Sequence, residues 1–190
     1  MDKVELRTVT MEILRNYQLI LETGKTTTEK ALELFDTLEP VNLGFMFGRW
    51  HGSGLHTNHP MDGLLEISNW YGKEFIDSEN VHPLLFLDSR GEIFQVAPNP
   101  TLMNWVLKLP IPKNNSFKPL LILINSLLKT EKSQARLRMM EYREKVTATM
   151  IYDYLPINDS FRKVDENTVL GIMDYKNISQ PFFFILKRCL

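Results

Sequence analysis

The stretch Gly48-Arg49-Trp50-His51-Gly52-Ser53-Gly54 decides how this chain is read. Glycine weakens a strand, because it adds entropy cost and nothing to pack. Glycines that recur around one tryptophan therefore signal that something bulky approaches one face. Side chains alternate across a strand, so Gly48, Trp50, Gly52 and Gly54 share that face. A small barrel or strongly curved sheet treats its first strand this way. It bends at the glycines and plugs one end with an aromatic ring. The same glycines are not a dinucleotide-binding motif, because no βαβ unit surrounds them.

On the N-terminal side the pattern is helical. Val4, Leu6, Val9, Ile13, Leu14, Tyr17, Ile20 and Leu21 recur mostly at three- and four-residue steps, which predicts a helix over 3–22 ending at Gly24. Thr26 then opens a second helix, with Glu29 completing a capping box and Pro40 as its stop. Two helices joined by a tight turn make an αα-hairpin, read as a lid packed on the rest or as a partner-binding arm.

On the C-terminal side the chemistry becomes that of strands. Segments 45–55, 64–71, 82–88 and 92–97 read as an antiparallel meander, with Asp88-Ser89-Arg90-Gly91 as a hairpin turn. Residues 98–134 carry five prolines (98, 100, 110, 112 and 119) and read as a helical insertion with short helices at 101–108 and 118–128. Trp105 and Phe117 are its candidate lid aromatics. Strands return at 136–143, 146–152, 160–164, 168–175 and 182–187, while 154–159 reads as a loop. The expected fold is mainly β: a lipocalin-like antiparallel β-barrel of about eight or nine strands with an N-terminal α-hairpin and a helical insertion. The expected organisation is a hairpin over 1–40 and one barrel domain over 41–190, with strand groups at 41–97 and 135–190.

Ordered stretches along 26–188 resemble bacterial proteins built from a GXWXG-motif domain followed by a domain of unknown function. The resemblance rests on Leu43 to Gly54, His59-Pro60-Met61-Asp62-Gly63-Leu64-Leu65-Glu66, Trp70-Tyr71-Gly72-Lys73 and Val81-His82-Pro83-Leu84. In the second half it rests on Tyr142-Arg143, Ala148 to Asp153, Pro156 to Asp165 and Leu170 to Asp174. It implies membership of a family and no activity. The first strand also resembles those of nitrobindin-type and fatty-acid-binding-type barrels. The late haem-ligand histidine of the nitrobindin type has no counterpart, since no histidine follows His82.

Composition narrows the chemistry. A net charge of −1 over 190 residues argues against a large nucleic-acid footprint. A single cysteine, Cys189, allows no internal disulfide, and no apolar run is long enough to span a membrane. Cytoplasmic placement follows as the default, without membrane insertion and with a homodimer as the oligomeric option. The four histidines, His51, His56, His59 and His82, raise the question of a metal, but no cysteine or HExxH spacing supports one. No metal or other cofactor is implied.

The aromatic and methionine surplus of the strand segments suits a barrel around a small apolar or amphipathic ligand, such as a fatty acid or related lipid. Its candidate contacts are Trp50, Trp70, Lys73, Tyr142, Arg143, Tyr152 and Asp159, with Arg143 beside Tyr142 or Tyr152 placed to meet a carboxylate. The enzyme alternative uses Asp153 or Asp174 as a general base on a hydrophobic substrate. A third reading is an interaction module working through the N-terminal helices.

Overall fold

A computed structural model describes residues 15–101 and 118–189. The expected helix before residue 15, nearly all of the one at 101–108, Trp105 and Phe117 lie outside these residues. Helix α1 (15–23) ends at Gly24, whose φ of +64° is the left-handed stop that glycine adopts without strain. Helix α2 (Thr28–Thr37) starts one residue later than expected: Thr27, not Thr26, accepts from the Lys30 amide. Helix α5 (Lys118–Leu127) lies where the second insertion helix is expected.

Two predicted strand segments begin as helix. Residues 45–47 belong to or follow α3 (Leu43–Met46), capped by the Asn42 side chain accepting from the Phe45 amide. Residues 64–67 form α4 (Leu64–Ile67), started by Gly63 at φ +83° and followed by Asn69 at φ +59°. Both segments are short and apolar, and periodicity does not separate a strand from a helix at that length.

The strands are β1 (Glu39–Pro40), β2 (Gly48–Leu55), β3 (Trp70–Phe75), β4 (Val81–Leu87), β5 (Ile93–Gln95), β6 (Ala135–Tyr142), β7 (Lys145–Tyr152), β8 (Ile157–Asp165), β9 (Thr168–Tyr175) and β10 (Ile178–Arg188). Each pairs antiparallel with its neighbours, in the spatial order β2-β3-β4-β6-β7-β8-β9-β10. β10 returns to β2, with Phe183 opposite Leu55 and Arg188 opposite Trp50, and the sheet closes. The result is an eight-stranded, mainly β, up-and-down antiparallel barrel of lipocalin-like topology, with β1 and β5 as short additions to β8 and β4. The weakest join is β4 to β6, which meet only at Val81 and Ala135.

Alternation divides the apolar residues into two cores. Trp50, Leu137, Met150, Phe161, Val169, Phe184 and Leu186 lie in the inner one. Leu55, Leu170, Ile172, Phe183 and Ile185, of opposite parity, form the outer one with Ile20, Ala31, Leu34 and Phe35 of the helical hairpin. The hairpin thus covers the outer face of β2, β9 and β10 with its own apolar stripe. Among the described residues no helix is long and apolar enough to cross a membrane.

Of the β2 glycines, Gly52 is the one that receives a bulky ring. A Cβ on Gly52 would collide with the Trp70 ring, so the glycine is the slot into which that indole fits. Trp50 is wholly buried, its indole N–H donates to the Met46 carbonyl at 2.7 Å, and the Arg188 guanidinium lies 4.2 Å from its ring. That makes it a fastening of α3 and the C-terminal strand.

Candidate functional site

The polar centre of the barrel is built by one irregularity in β3. In a regular strand Trp70 and Lys73, three residues apart, would face opposite sides. Here the β3–β4 register shifts on both sides of Gly72. Gly72 has φ +149°, and a Cβ there would strike the Trp50 carbonyl. The bulge restores parity, and Trp70, Lys73 and Phe75 are all buried in the barrel wall.

Lys73 is 3 % exposed and Asp159, across the barrel on β8, is 1 % exposed. Their side chains form an ion pair at 2.9 Å. The ammonium also donates to the Pro83 carbonyl at 3.1 Å and to the Tyr152 hydroxyl at 3.4 Å. Its three N–H bonds are thus all used. The rings of Phe184, Trp70 and Tyr152 surround it, with centroids at 5.0, 5.7 and 5.7 Å. Phe184 stands edge-on to Trp70 and occupies the space that a side chain at Gly171 would need.

Two polar atoms at this centre have no protein partner: the second carboxylate oxygen of Asp159 and the indole N–H of Trp70. One accepts and the other donates; Asp159 pairs with the ammonium through its other oxygen, and the Trp70 ring centroid lies 5.7 Å from that ammonium. Burial raises the Asp159 carboxyl above its ordinary range, against the pull of Lys73. Burial, with the Asp159 charge adding to it, holds the Tyr152 hydroxyl protonated well beyond ordinary pH.

The structure therefore brings together Trp70, Lys73, Tyr152 and Asp159 from the sequence-derived set. Asp159 reaches the centre because β8 begins at Ile157, inside the segment read as a loop. Tyr142 and Arg143 are elsewhere. Tyr142 packs edge-on against Phe35 on the outside, and Arg143, in the β6–β7 turn at φ +50°, makes a two-pronged pair with Asp36 at 2.6 Å. The expected carboxylate contact at Arg143 is corrected accordingly: that guanidinium faces α2, not the barrel interior.

The candidate bases are also at the surface. Asp153 is part-exposed and 3.3 Å from Arg136, and Asp174 is exposed on β9. Neither is a buried carboxylate of the kind a general base in the barrel requires.

The histidines do not converge. Among the described residues no three His, Cys, Asp or Glu side chains gather as metal ligands. His59 structures its loop, its Nδ1 accepting from the Met61 amide at 3.0 Å while Asp62 accepts from the Thr57 and His59 amides. His56 pairs with Glu66 at 2.9 Å. An outer groove of about 830 Å³ between Arg49, Glu74, Phe94 and Lys129 is lined by none of the sequence-derived site residues.

Sequence reasoning reached the four central side chains but missed two parts of the site. The Pro83 carbonyl has no sequence signature. The Gly171 slot for Phe184 repeats the Gly52 slot for Trp70, and a lone glycine between Leu170 and Ile172 was its signal.

Comparison with known proteins bears on the family and the fold. Residues 33–91 match the family model of GXWXG proteins, and residues 133–188 match that of a domain of unknown function, DUF4334. A solved crystal structure of a protein from Thermomonospora curvata shares 30% identity and a TM-score of 0.70, covering 94% of this chain and 99% of that one. No curated protein matches the chain. With its motif strand opening the barrel and the second match supplying strands β6 to β10, the chain belongs to the family of GXWXG proteins that continue into this domain of unknown function.

Proposed function

We propose that the protein binds a small amphipathic molecule inside the barrel, a fatty acid or related lipid, with its head group at Lys73, Asp159, Tyr152 and Trp70. The observation that carries this reading is the unpartnered pair of Asp159 oxygen and Trp70 N–H beside a neutralised Lys73. A buried ion pair is a poor stabiliser compared with an apolar replacement, so its presence needs another reason. A head group with one donor and one acceptor would satisfy both atoms without disturbing the pair. An alcohol or a protonated carboxylic acid has that inventory, whereas an added anion would leave a net buried charge.

The inner core side chains are closed around the pair, with exposures of 0 to 8 %. Entry therefore requires side chains to move aside, and Met61, Met150 and Met173 are in that core. Methionine is the residue that repacks most readily. A free, exposed Cys189 suits the reducing interior of a cell, which is the compartment we assign.

Calorimetric titration with a long-chain alcohol and the fatty acid of equal length tests the reading. The alcohol should bind equally at pH 5 and pH 8, and the acid should weaken as it ionises. Trp70→Phe deletes the N–H together with part of a buried ring, so affinity should fall about five- to tenfold and the unfolding midpoint should drop with it. No binding of either compound, or Trp70→Phe binding like wild type, refutes the assignment.

A further inference from the structure

The barrel wall has a seam between β4 and β6. The two strands meet at Val81 and Ala135, where the Gln134 amide donates to the Val81 carbonyl at 3.1 Å. From Val81 to the C-terminal end of β4, among the described residues, no further backbone hydrogen bond joins them. The sequence supplies the reason. Pro83 has no N–H to give a ladder, and a proline within a strand belongs at a free edge. Its carbonyl is taken by the Lys73 ammonium at 3.1 Å. On the facing side Ala135 pairs with Tyr152, whose hydroxyl accepts another N–H of the same ammonium. The seam therefore runs beside the polar centre.

A strap covers the seam. Residues 93–97 hang from β4, with the Val96 amide donating to the Leu84 carbonyl at 3.0 Å. They reach the chain leading into β6 through one isolated bridge, Val96 facing Lys129. Two hydrogen bonds hold it: the Ala97 amide to the Leu128 carbonyl at 2.9 Å and the Thr130 amide to the Gln95 carbonyl at 3.1 Å. By contrast the β6–β7 ladder runs unbroken from Ala135–Tyr152 to Tyr142–Lys145. Local opening favours the segment with the fewest backbone ties. Leu84, Phe94, Val96 and Leu128 join the inner core, so the way past the strap is lined for hydrocarbon. Phe94, Gln95, Lys129 and Thr130 also line the groove of about 830 Å³, whose charges at Glu92, Lys129 and Glu131 are of both signs and select no charged head.

We propose that this groove is the vestibule of a lateral portal. The Val96–Lys129 bridge parts, and an amphipathic molecule with a neutral head, such as a long-chain alcohol, passes between β4 and β6 to Lys73 and Tyr152. The route rests on the head-group reading above, and its test separates the two. Val96 and Lys129 are the pair without mutual hydrogen bonds, whose Cα atoms stand about 4.5 Å apart, within disulfide reach. Val96→Cys/Lys129→Cys in a Cys189→Ser background can therefore be locked by oxidation and released by dithiothreitol. In stopped-flow tryptophan fluorescence with dodecanol, the locked form should associate and dissociate about tenfold or more slowly, at nearly the same affinity as the released form. In hydrogen exchange of the ligand-free wild type, the Ala97 and Thr130 amides should exchange about a hundredfold faster than those of the β6–β7 ladder. Dodecanol rates that ignore the lock overturn the portal and leave the head-group reading standing. Dodecanol bound by neither wild type nor variant overturns both. Ala97 and Thr130 amides protected like the ladder overturn the portal whatever the barrel binds.

Discussion

Two buried cations in this barrel are accommodated in opposite ways. Lys73 points into the interior and is neutralised by a carboxylate at 2.9 Å. Arg162 is equally covered, at 0 % exposure, but lies on the outer side of β8, next in sequence to the inward Phe161. Its Nη2 donates to the Tyr142 carbonyl at 2.8 Å and its plane lies 4.8 Å from the Phe35 ring. Its Nε and Nη1 have no partner. Burial pulls the guanidinium pKa down, and the nearby Asp36 pulls it up without touching it. A delocalised, weakly hydrated guanidinium tolerates a carbonyl, an aromatic face and a distant carboxylate under one helix. A compact ammonium in the barrel centre does not, and three acceptors with a full counter-charge surround it.

The comparison predicts unequal responses to the same loss of charge. Lys73→Met leaves the buried Asp159 carboxyl without its counter-charge, so that it must either take up a proton or hold an uncompensated charge, and should cost about 3–5 kcal/mol in urea unfolding at neutral pH. Lys73→Met/Asp159→Leu should recover most of that loss, because no charge is then stranded. A mild single variant would mean that water reaches the pair, which would break the comparison at its centre. Next in size is Gly52→Ala, which puts a methyl where the Trp70 ring sits and should cost about 1–3 kcal/mol while altering near-ultraviolet circular dichroism. Smaller still is Arg162→Met, which strands no carboxylate, since Asp36 keeps Arg143. It should stay within about 1 kcal/mol of wild type in the same urea series. A loss as large as that of Lys73→Met would show that Arg162 depends on Asp36 as Lys73 depends on Asp159.

The contrast was partly legible in the sequence. The glycine spacing around Trp50 announced a curved strand receiving something bulky, and the Trp70 ring fills that place. Lys73 and Asp159 were both legible as candidate contacts, and the structure pairs them at 2.9 Å. What alternation could not supply was parity through Gly72. Counting by twos puts Trp70 and Lys73 on opposite faces, and only the bulge brings them together. Asp159 was misplaced into a loop because Pro156 and Asn158 read as turn residues, yet the strand starts at Ile157 and carries both Asn158 and Asp159. Arg143 failed as a site residue for a related reason. Its neighbour Tyr142 ends β6 with outward parity, and Asp36, 107 positions away in sequence, is the partner that turn geometry presents.

A third buried base, His82, sharpens the rule by avoiding charge altogether. It is 5 % exposed and its Nδ1 has no partner. Burial lowers its pKa below the ordinary 6.5, although Glu74, opposite it in the β3–β4 pairing, pulls the other way. The sign follows from which state binds the proton. Below about pH 6.5 the unfolded chain protonates this histidine while the folded chain resists, so its contribution is full above that pH and is lost as pH falls through the folded value. One proton limits the slope to about 1.4 kcal/mol per pH unit. His82→Gln should therefore flatten the fall of the urea-derived stability between about pH 6.5 and pH 5, relative to wild type. Equal slopes in the two proteins would mean that His82 protonates as freely folded as unfolded. It would then behave like an exposed base, and the interior demand for neutrality would apply to Lys73 alone.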